Sequence, residues 1–217
     1  MLGAPMALPK AIRRLTPDPI RDEPTLRAIA LAIGVIPPRT MHSTAEAELL
    51  AHLATGAQCV VEIGVYEGSS AMVLADAVNA GAELHLIDPF PRESGAALVP
   101  GWRGSATATQ IAVRRHVRGA GPNVCWHIAR SQDIGREWDG PEIDLVFIDG
   151  DHSREACRED WDVWHSHVRR GGFVAFHDAR GGSPGPTAVV DELFYPAPPE
   201  GWDVTDEVDT LVAVRRF

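Results

Sequence analysis

Apolar positions in this chain alternate between a period of two and a period of 3.6. Cys-Val-Val-Glu-Ile-Gly at 59–64 is a short β-branched run of strand type, broken by Gly64 and Gly68. Ala71, Leu74, Ala75 and Val78 then return at helical spacing. Further strand-type runs lie at 83–88 (ELHLID), 123–129 (NVCWHIA), 143–149 (IDLVFID) and 173–178 (FVAFHD). Apart from Asp144 and the closing Asp149, the run at 143–149 is apolar, as a strand covered on both faces should be. Helices are predicted over about 107–117 and 153–168, the second with Cys157, Trp161, Trp164 and Val168 on one face and ended by Gly171-Gly172. A Gly/Pro loop at 181–186, a helix to Phe194 and strands at 202–206 and 210–216 close the chain. Upstream, Ser43-Thr-Ala-Glu46 is a capping box, and Ala45, Leu49, Leu50 and Leu53 mark one face of the helix it opens.

Strand and helix alternate, which predicts an α/β fold with right-handed crossovers. The last two strands are too close for a helical crossover and must pair as an antiparallel hairpin. The expected architecture is a doubly wound, mostly parallel seven-stranded sheet with that hairpin at its C-terminal end. Residues 1–40 are rich in Pro and Arg and weakly patterned, with a short helix around Thr25–Ile33 ended by Pro37 and Pro38. They form an N-terminal arm or helical cap, or else a frayed tail, beside a binding domain at 41–217.

Bulk properties narrow the partners. At 217 residues and 45% hydrophobic, the chain buries a core without metal or disulfide staples. A formal net charge of −10 argues against nucleic acid and against an anionic membrane surface. No apolar run reaches the length of a bilayer span, and the first residues do not form a signal peptide. Cys59, Cys125 and Cys157 lie inside apolar segments at no metal-binding spacing, which suits buried thiols and a cytoplasmic location. The N-terminal arm would serve a homodimer.

In a doubly wound sheet, ligands bind beyond the carboxyl ends of the strands. After the first strand comes Glu62-Ile-Gly64-Val-Tyr66-Glu-Gly68-Ser69-Ser70. Its G-x-x-x-G spacing departs from the G-x-G-x-x-G of dinucleotide folds, because Tyr66 stands where the second glycine belongs. Asp88 ends the second strand, as a ribose acceptor or as a solvated turn residue before Pro89. Ser131-Gln132-Asp133 follow the third strand, placed to bracket a base or simply to cap a helix. The fourth strand ends in Asp149-Gly-Asp151-His152 and the fifth in His177-Asp178.

Taken in order, these motifs resemble the class I S-adenosylmethionine-dependent methyltransferases. They are most similar to the small O-methyltransferases of the catechol and caffeoyl-coenzyme A type, in a group that includes macrolide-sugar O-methyltransferases and cephalosporin-hydroxylase-like proteins. The resemblance runs from about Met41 to Val214. It implies that Glu62 and Gly64, within the turn that carries Tyr66, Gly68, Ser69 and Ser70, flank the methionine part of the cofactor. It implies that Asp88 holds the ribose, that Ser131 and Gln132 meet the adenine, and that Met41 and Ser43 line the methionine end. It further implies a divalent cation, Mg²⁺ or Mn²⁺, on Asp149, His177 and Asp178, with His152 as the base. Imidazole suits Mg²⁺ poorly, which leaves two alternatives: Asp149 and Asp178 alone bind the cation with His177 facing the substrate, or His177 packs in the core and no metal binds. His152 has a second reading as a helix cap.

The chemistry fits those residue types. Methyl transfer to a hydroxyl needs an alkoxide-like nucleophile in line with the sulfonium. A metal lowers the pKa of a bound hydroxyl, and a histidine accepts its proton. The expected substrate is a small-molecule hydroxyl on a sugar, polyketide or phenol. The long loop from Phe90 to Ala106, with Arg92, Trp102 and Arg103, and the loop at 181–186 would wall the pocket. Two other readings stand beside this one: a non-catalytic fold relative that binds the cofactor, and an NAD(P)-dependent oxidoreductase. His165, His167, Trp161 and Trp164 belong to packing or surface in all of them.

Overall fold

The computed structural model describes residues 23–90, 104–117, 119, 121–195 and 197–217. Seven strands form one sheet: β1 (Cys59–Ile63), β2 (Glu83–Ile87), β3 (Asn123–His127), β4 (Ile143–Ile148), β5 (Val168–Phe176), β6 (Trp202–Val208) and β7 (Leu211–Arg216). Their order is β3-β2-β1-β4-β5-β7-β6. The first five pair in parallel, and β7 joins antiparallel to both β5 and β6. The chain reverses direction across the sheet between β1 and β4, so the switch point lies where the Gly64 turn meets Asp149.

Seven α-helices lie among the described residues: α1 (Pro24–Ile33), α2 (Thr44–Ala54), α3 (Ser69–Ala77), α4 (Ala106–His116), α5 (Ser131–Arg136), α6 (Arg154–Trp164) and α7 (Pro184–Phe194). They cover both faces of the sheet. Trp161, Trp164 and Cys157 of α6 pack with Val189, Val190 and Phe194 of α7 over one face. Leu49, Leu50 and Leu53 of α2 pack with Leu74 of α3 and Val113 of α4 over the other. Burial of apolar side chains on both faces is the main force holding the layers together.

Several boundaries differ from the sequence expectation. The helix expected to run to residue 168 stops at Trp164, and His165–His167 form a single 3₁₀ turn. Val168 is the first residue of β5, which runs on through an irregular stretch at Gly171 (φ 81°) and Gly172, and whose Val168 carbonyl accepts from the Arg216 side chain of β7. The histidines of the turn serve packing. His165 stacks on the Trp161 ring, and His167 Nε2 lies 2.9 Å from the Gly135 carbonyl oxygen. Cys59 and Cys157 are buried free thiols, whereas Cys125 is only partly covered.

The capping box at Ser43 is complete: the Ser43 hydroxyl accepts from Glu46 N at 3.1 Å, and Glu46 Oε2 accepts from Ser43 N at 2.7 Å. The N-terminal helix α1 is pinned to the sheet's carboxyl edge. Arg27 donates from Nε to Glu67 Oε1 at 2.6 Å and from Nη2 to Glu67 Oε2 at 2.5 Å. The Arg39 backbone N–H donates to the same carboxylate at 2.7 Å. Both members of the Arg27–Glu67 pair are buried. Removing one partner of such a pair strands the other charge, which costs more than replacing both with apolar groups. Arg27→Leu should therefore lower unfolding free energy by about 3 kcal/mol, and Arg27→Leu/Glu67→Met by less than that. Urea unfolding followed by circular dichroism checks the order of the two variants.

Candidate functional site

The carboxyl ends of β1, β2, β4 and β5 converge on one edge, and three of the non-glycine residues with left-handed backbones sit there: Tyr66 (φ 52°), Phe90 (φ 51°) and Asp178 (φ 54°). Strained backbone of this kind persists only where surrounding contacts fix it. After β1, Gly64 turns at φ +87°, and a Cβ there would lie 2.0 Å from the Asp149 carbonyl oxygen. Glycine is thus required twice, by conformation and by the close approach of the β4 end. Gly68 (φ +84°) then opens α3, which carries Ser69 and Ser70 in its first turn. Glu62, at the end of β1, is fully buried. Ser70 donates its hydroxyl hydrogen to Glu62 Oε1, and Oε2 has no partner among the described residues. Burial pushes the Glu62 carboxyl well above the usual range, and the fields of Asp149 and Asp88 add to that against the Ser70 bond.

Asp88 holds the turn shut. Its Oδ2 accepts from Val65 N at 3.0 Å and Tyr66 N at 2.8 Å, and Oδ1 accepts from Phe90 N at 2.7 Å. A carboxylate oxygen can take two donors, so Oδ1 keeps one lone pair for a ligand hydroxyl. The Tyr66 hydroxyl accepts from Arg39 Nη1 at 2.8 Å, and the Tyr66 carbonyl accepts from Thr109 Oγ1 at 2.7 Å.

Ser131 and Gln132 open α5 after β3, and both are buried. Their side chains point at Asp160 of α6: the Ser131 hydroxyl and Gln132 Nε2 (2.8 Å) both donate to Asp160 Oδ1. Burial pushes Asp160 up to about 7, against the opposing bond from Ser131. Sequence reasoning missed Asp160, although its position between Cys157 and Trp164 on an apolar helix face is an available signal: a lone acid there needs a partner.

The ends of β4 and β5 form a second cluster. Asp149, His152 and Asp178 bring their ligand atoms within 4.8 Å of one another. His152 Nε2 is 3.6 Å from Asp149 Oδ1, and Nδ1 is 3.5 Å from Asp178 Oδ2. His152 is half-exposed and caps nothing; Ser153 caps α6 instead, accepting from Ala156 N at 3.2 Å. The Asp149 carboxylate beside it raises the His152 pKa, against burial, with the field of Asp178 adding. The first turn of α7 closes on this residue, since a Cβ on Gly185 would lie 2.1 Å from the His152 carbonyl oxygen.

His177, counted from sequence with the metal ligands, lies against the same two carboxylates, its Nδ1 3.6 Å from Asp178 Oδ2. It is 4% exposed and sits behind the carboxylates, with Nδ1 3.0 Å from Asp149 Oδ1 and Nε2 3.6 Å from Glu46 Oε2. Burial opposes its charge, but the bond to Asp149 and the fields of Asp149, Asp178 and Glu46 push it up to about 9. Protonated, it serves these carboxylates as a counter-ion. Asp149 is correspondingly lowered: burial opposes its charge, and bonds to His152 and His177 overcome it. Glu46 also bonds Thr210 N (2.9 Å) and Thr210 Oγ1 (2.6 Å), joining α2 to the β6–β7 turn.

The segment before α2 lies against α3. His42 Nε2 is 3.1 Å from Ser69 Oγ, Met41 is exposed, and the Ser43 hydroxyl, besides capping, donates to Asp209 Oδ2 at 2.6 Å. Arg92, Trp102 and Arg103 lie outside the described residues. A further polar group, Cys59, Glu83 and His85, lies near the amino ends of β1 and β2. There His85 is already engaged by Glu83 at 3.1 Å and His127 at 3.0 Å, and burial pushes the Cys59 thiol up to about 12.

Residues 61–179 match the family described as Methyltransferase domain. The fold is similar to that of cofactor-bound Rv0187 from MTB, at 21% identity over 90% of each chain with a TM-score of 0.59. It is similar to TomG from Streptomyces achromogenes, an O-methyltransferase involved in tomaymycin synthesis and solved in complex with SAM, at 20% identity over 90% of each chain with a TM-score of 0.59. It is also similar to the O-methyltransferase from Bacillus cereus in complex with SAH, at 17% identity over 90% of this chain and 91% of that one, with a TM-score of 0.58.

Two outcomes follow from the geometry. Gly64→Ala should destabilise by at least about 2 kcal/mol more than Gly56→Ala, measured by urea unfolding. Both glycines have a left-handed backbone, and only Gly64 has a wall where the Cβ would go. The second concerns pH. Asp160 is raised from an ordinary value of 3.8 to about 7, so its neutral form contributes stability that is complete below about pH 4 and lost as pH rises through about 7. Asp160→Asn should therefore lose less stability than the wild type between pH 5 and pH 8, as measured by unfolding at the two values.

Proposed function

We propose that this chain, which belongs to the methyltransferase-domain family, transfers the methyl group of S-adenosylmethionine to a hydroxyl oxygen of a small molecule. The observation that carries the reading is the meeting, at the sheet's switch point, of the Gly64 turn with the Asp149–His152–Asp178 cluster. The first is a seat for a ligand that needs close backbone approach; the second is acid–base machinery beside it. Solved neighbours with SAM or SAH bound share the fold.

In this reading the cofactor lies across the carboxyl edge. Asp88 accepts a ribose hydroxyl on the free lone pair of Oδ1, and Ser131 and Gln132 border the adenine. Glu62, Gly64 and Tyr66 to Ser70, with Met41 and Ser43 across from them, surround the methionine end. The acceptor hydroxyl enters between His152 and the turn before α7. As its oxygen attacks the methyl carbon, the O–C bond forms and the C–S bond breaks. The hydroxyl proton passes to a ring nitrogen of His152, and the sulfonium leaves as the neutral sulfide of S-adenosylhomocysteine. Asp149 and Asp178 stabilise the resulting imidazolium from either side of the ring.

The donor set also suits a divalent cation. The two carboxylates of that cluster fit Mn²⁺ or Mg²⁺ and leave His152 free as the base. Asp149 and Asp178 would hold it, and when bound it would lower the pKa of the acceptor hydroxyl. An acceptor with two vicinal oxygens, as in a catechol or sugar diol, matches such a site.

Calorimetric titration of metal-stripped protein with S-adenosylmethionine, repeated with Mn²⁺ or Mg²⁺, tests the cofactor. Saturable binding, weakened at least about tenfold in Asp88→Ala, is the expected result; no binding under either condition overturns the reading. Against a panel of catechols and sugars, His152→Ala should cut turnover by about 10²–10⁴ with cofactor affinity kept. Unchanged turnover in that variant would remove His152 as base, and binding without turnover on any acceptor would favour a non-catalytic relative.

A further inference from the structure

Cysteine, glutamate and histidine side chains meet at the amino ends of β1 and β2, at the edge of the sheet opposite the ligand-facing turns. Parallel pairing sets Cys59 directly beside Glu83, and strand alternation puts His85 on the same face two residues on. The intervening Leu84 faces the other side, in the core with α2 and α3. Cys59 is 1% exposed and His85 8%, so neither is placed there for solvation. One ligand atom from each of Cys59, Glu83 and His85 lies within 4.8 Å of the other two.

The contacts of His85 prepare an imidazole ligand. Its Nε2 is 3.1 Å from Glu83 Oε2, and its Nδ1 is 3.0 Å from His127 Nε2. A tetrahedral zinc holds nitrogen and oxygen donors about 3.3 Å apart, so an ion can replace the Nε2 proton with little movement of either side chain. Nδ1–H then donates to His127 Nε2, the outer hydrogen bond that fixes the tautomer of a metal-bound imidazole. Trp138 packs at 72° to the His85 ring, with centroids 4.7 Å apart, and restrains its rotation. The charges also balance. A Cys59 thiolate and the Glu83 carboxylate together cancel a divalent ion. Without a cation, burial and the field of Glu83 keep the proton on Cys59. With one, the same carboxylate helps to hold the ion that displaces that proton. The Glu83 side chain is 45% exposed, which gives an ion a way in and leaves a fourth position for water.

We propose that Cys59, Glu83 and His85 form a binding site for Zn²⁺, with His127 positioning the His85 ring. Thiolate and imidazole donors select such an ion over Mg²⁺ or Ca²⁺, which separates this site from the Asp149 and Asp178 carboxylates. The inference does not depend on the cofactor reading.

Titration of the metal-stripped, reduced full chain with Co²⁺, a spectroscopic stand-in for Zn²⁺, tests it. Co²⁺ should give a saturable near-ultraviolet thiolate-to-metal absorption, which Zn²⁺ then abolishes because it binds more tightly. Cys59→Ala should remove the band. Cys125→Ala, Cys157→Ala and Asp178→Asn should keep it, since the other cluster holds no sulfur. Glu83→Gln, at a half-exposed position, should weaken Zn²⁺ binding at least about tenfold as read by competition with Co²⁺, so the outcome does not depend on Cys59→Ala folding. His127→Leu should weaken Co²⁺ binding about tenfold with the band still present. Absence of the band in the wild type, its survival in Cys59→Ala, or unchanged Zn²⁺ affinity in Glu83→Gln overturns the site. Unchanged affinity in His127→Leu overturns the positioning role.

Discussion

The carboxyl edge of this sheet is built around one buried cation. Glu46, Asp149 and Asp178 converge there, and His177 lies behind all three. Without a positive group between them, like charges at these separations would repel strongly in a poorly solvated site. His177 answers that constraint by holding its proton. Because Glu46 also completes the α2 cap and bonds the Thr210 backbone, the same charge balance ties α2, the ends of β4 and β5, and the β6–β7 turn together. His152, on the solvent side of the same carboxylates, is left as the histidine a substrate can reach.

Around that centre, acids of the same two types are sorted by their partners. Asp149 faces two imidazoles and stays low. Glu46, which burial would raise, is lowered by the Thr210 hydroxyl and by backbone N–H groups. Glu62 and Asp160 are buried with hydroxyl or amide donors and no nearby cation strong enough to hold them ionised, and both are raised. The lowered acids thus stand against the histidine at the end of β5, and the raised ones stand beside hydroxyl or amide donors. A neutral acid there can orient a neighbour without adding another negative charge to a crowded edge.

Much of this was legible in the sequence, and the limits have physical causes. The strands of the parallel sheet announce themselves as apolar runs because both faces are covered. The α2 cap is visible because a capping box is local, four residues long and chemically complete. Asp88, Asp149 and His152 are legible by position, each just beyond a strand. What local pattern does not carry is partnership across distance. His177 and Asp178 are visible as a pair because they are adjacent in the chain; that Glu46, far upstream, closes over the other nitrogen of His177 depends on tertiary packing alone. Gly171-Gly172 resembled the end of a helix, yet they form an irregularity within β5, which pairs with β7 only from Phe173 onward. The Arg27–Glu67 pair joins residues 40 apart, and nothing in either neighbourhood marks it.

That pair also bears on how the site is held. Glu67 lies inside the turn between Gly64 and Gly68, where two glycines and a left-handed Tyr66 leave the backbone little intrinsic preference for its shape. The turn is fixed from three directions: by Asp88 from within the sheet edge, by Thr109 of α4 from one side, and by Arg27 and Arg39 from the N-terminal segment. Only the last of these comes from outside the alternating strand–helix core. A segment that sequence patterning leaves weakly defined is thereby joined by a buried bidentate ion pair to the most constrained turn of the fold. Docking of α1 and the shape of the ligand-facing turn are then linked equilibria. Whatever stabilises the turn must stabilise the docked helix by the same free energy, and whatever releases the helix must loosen the turn.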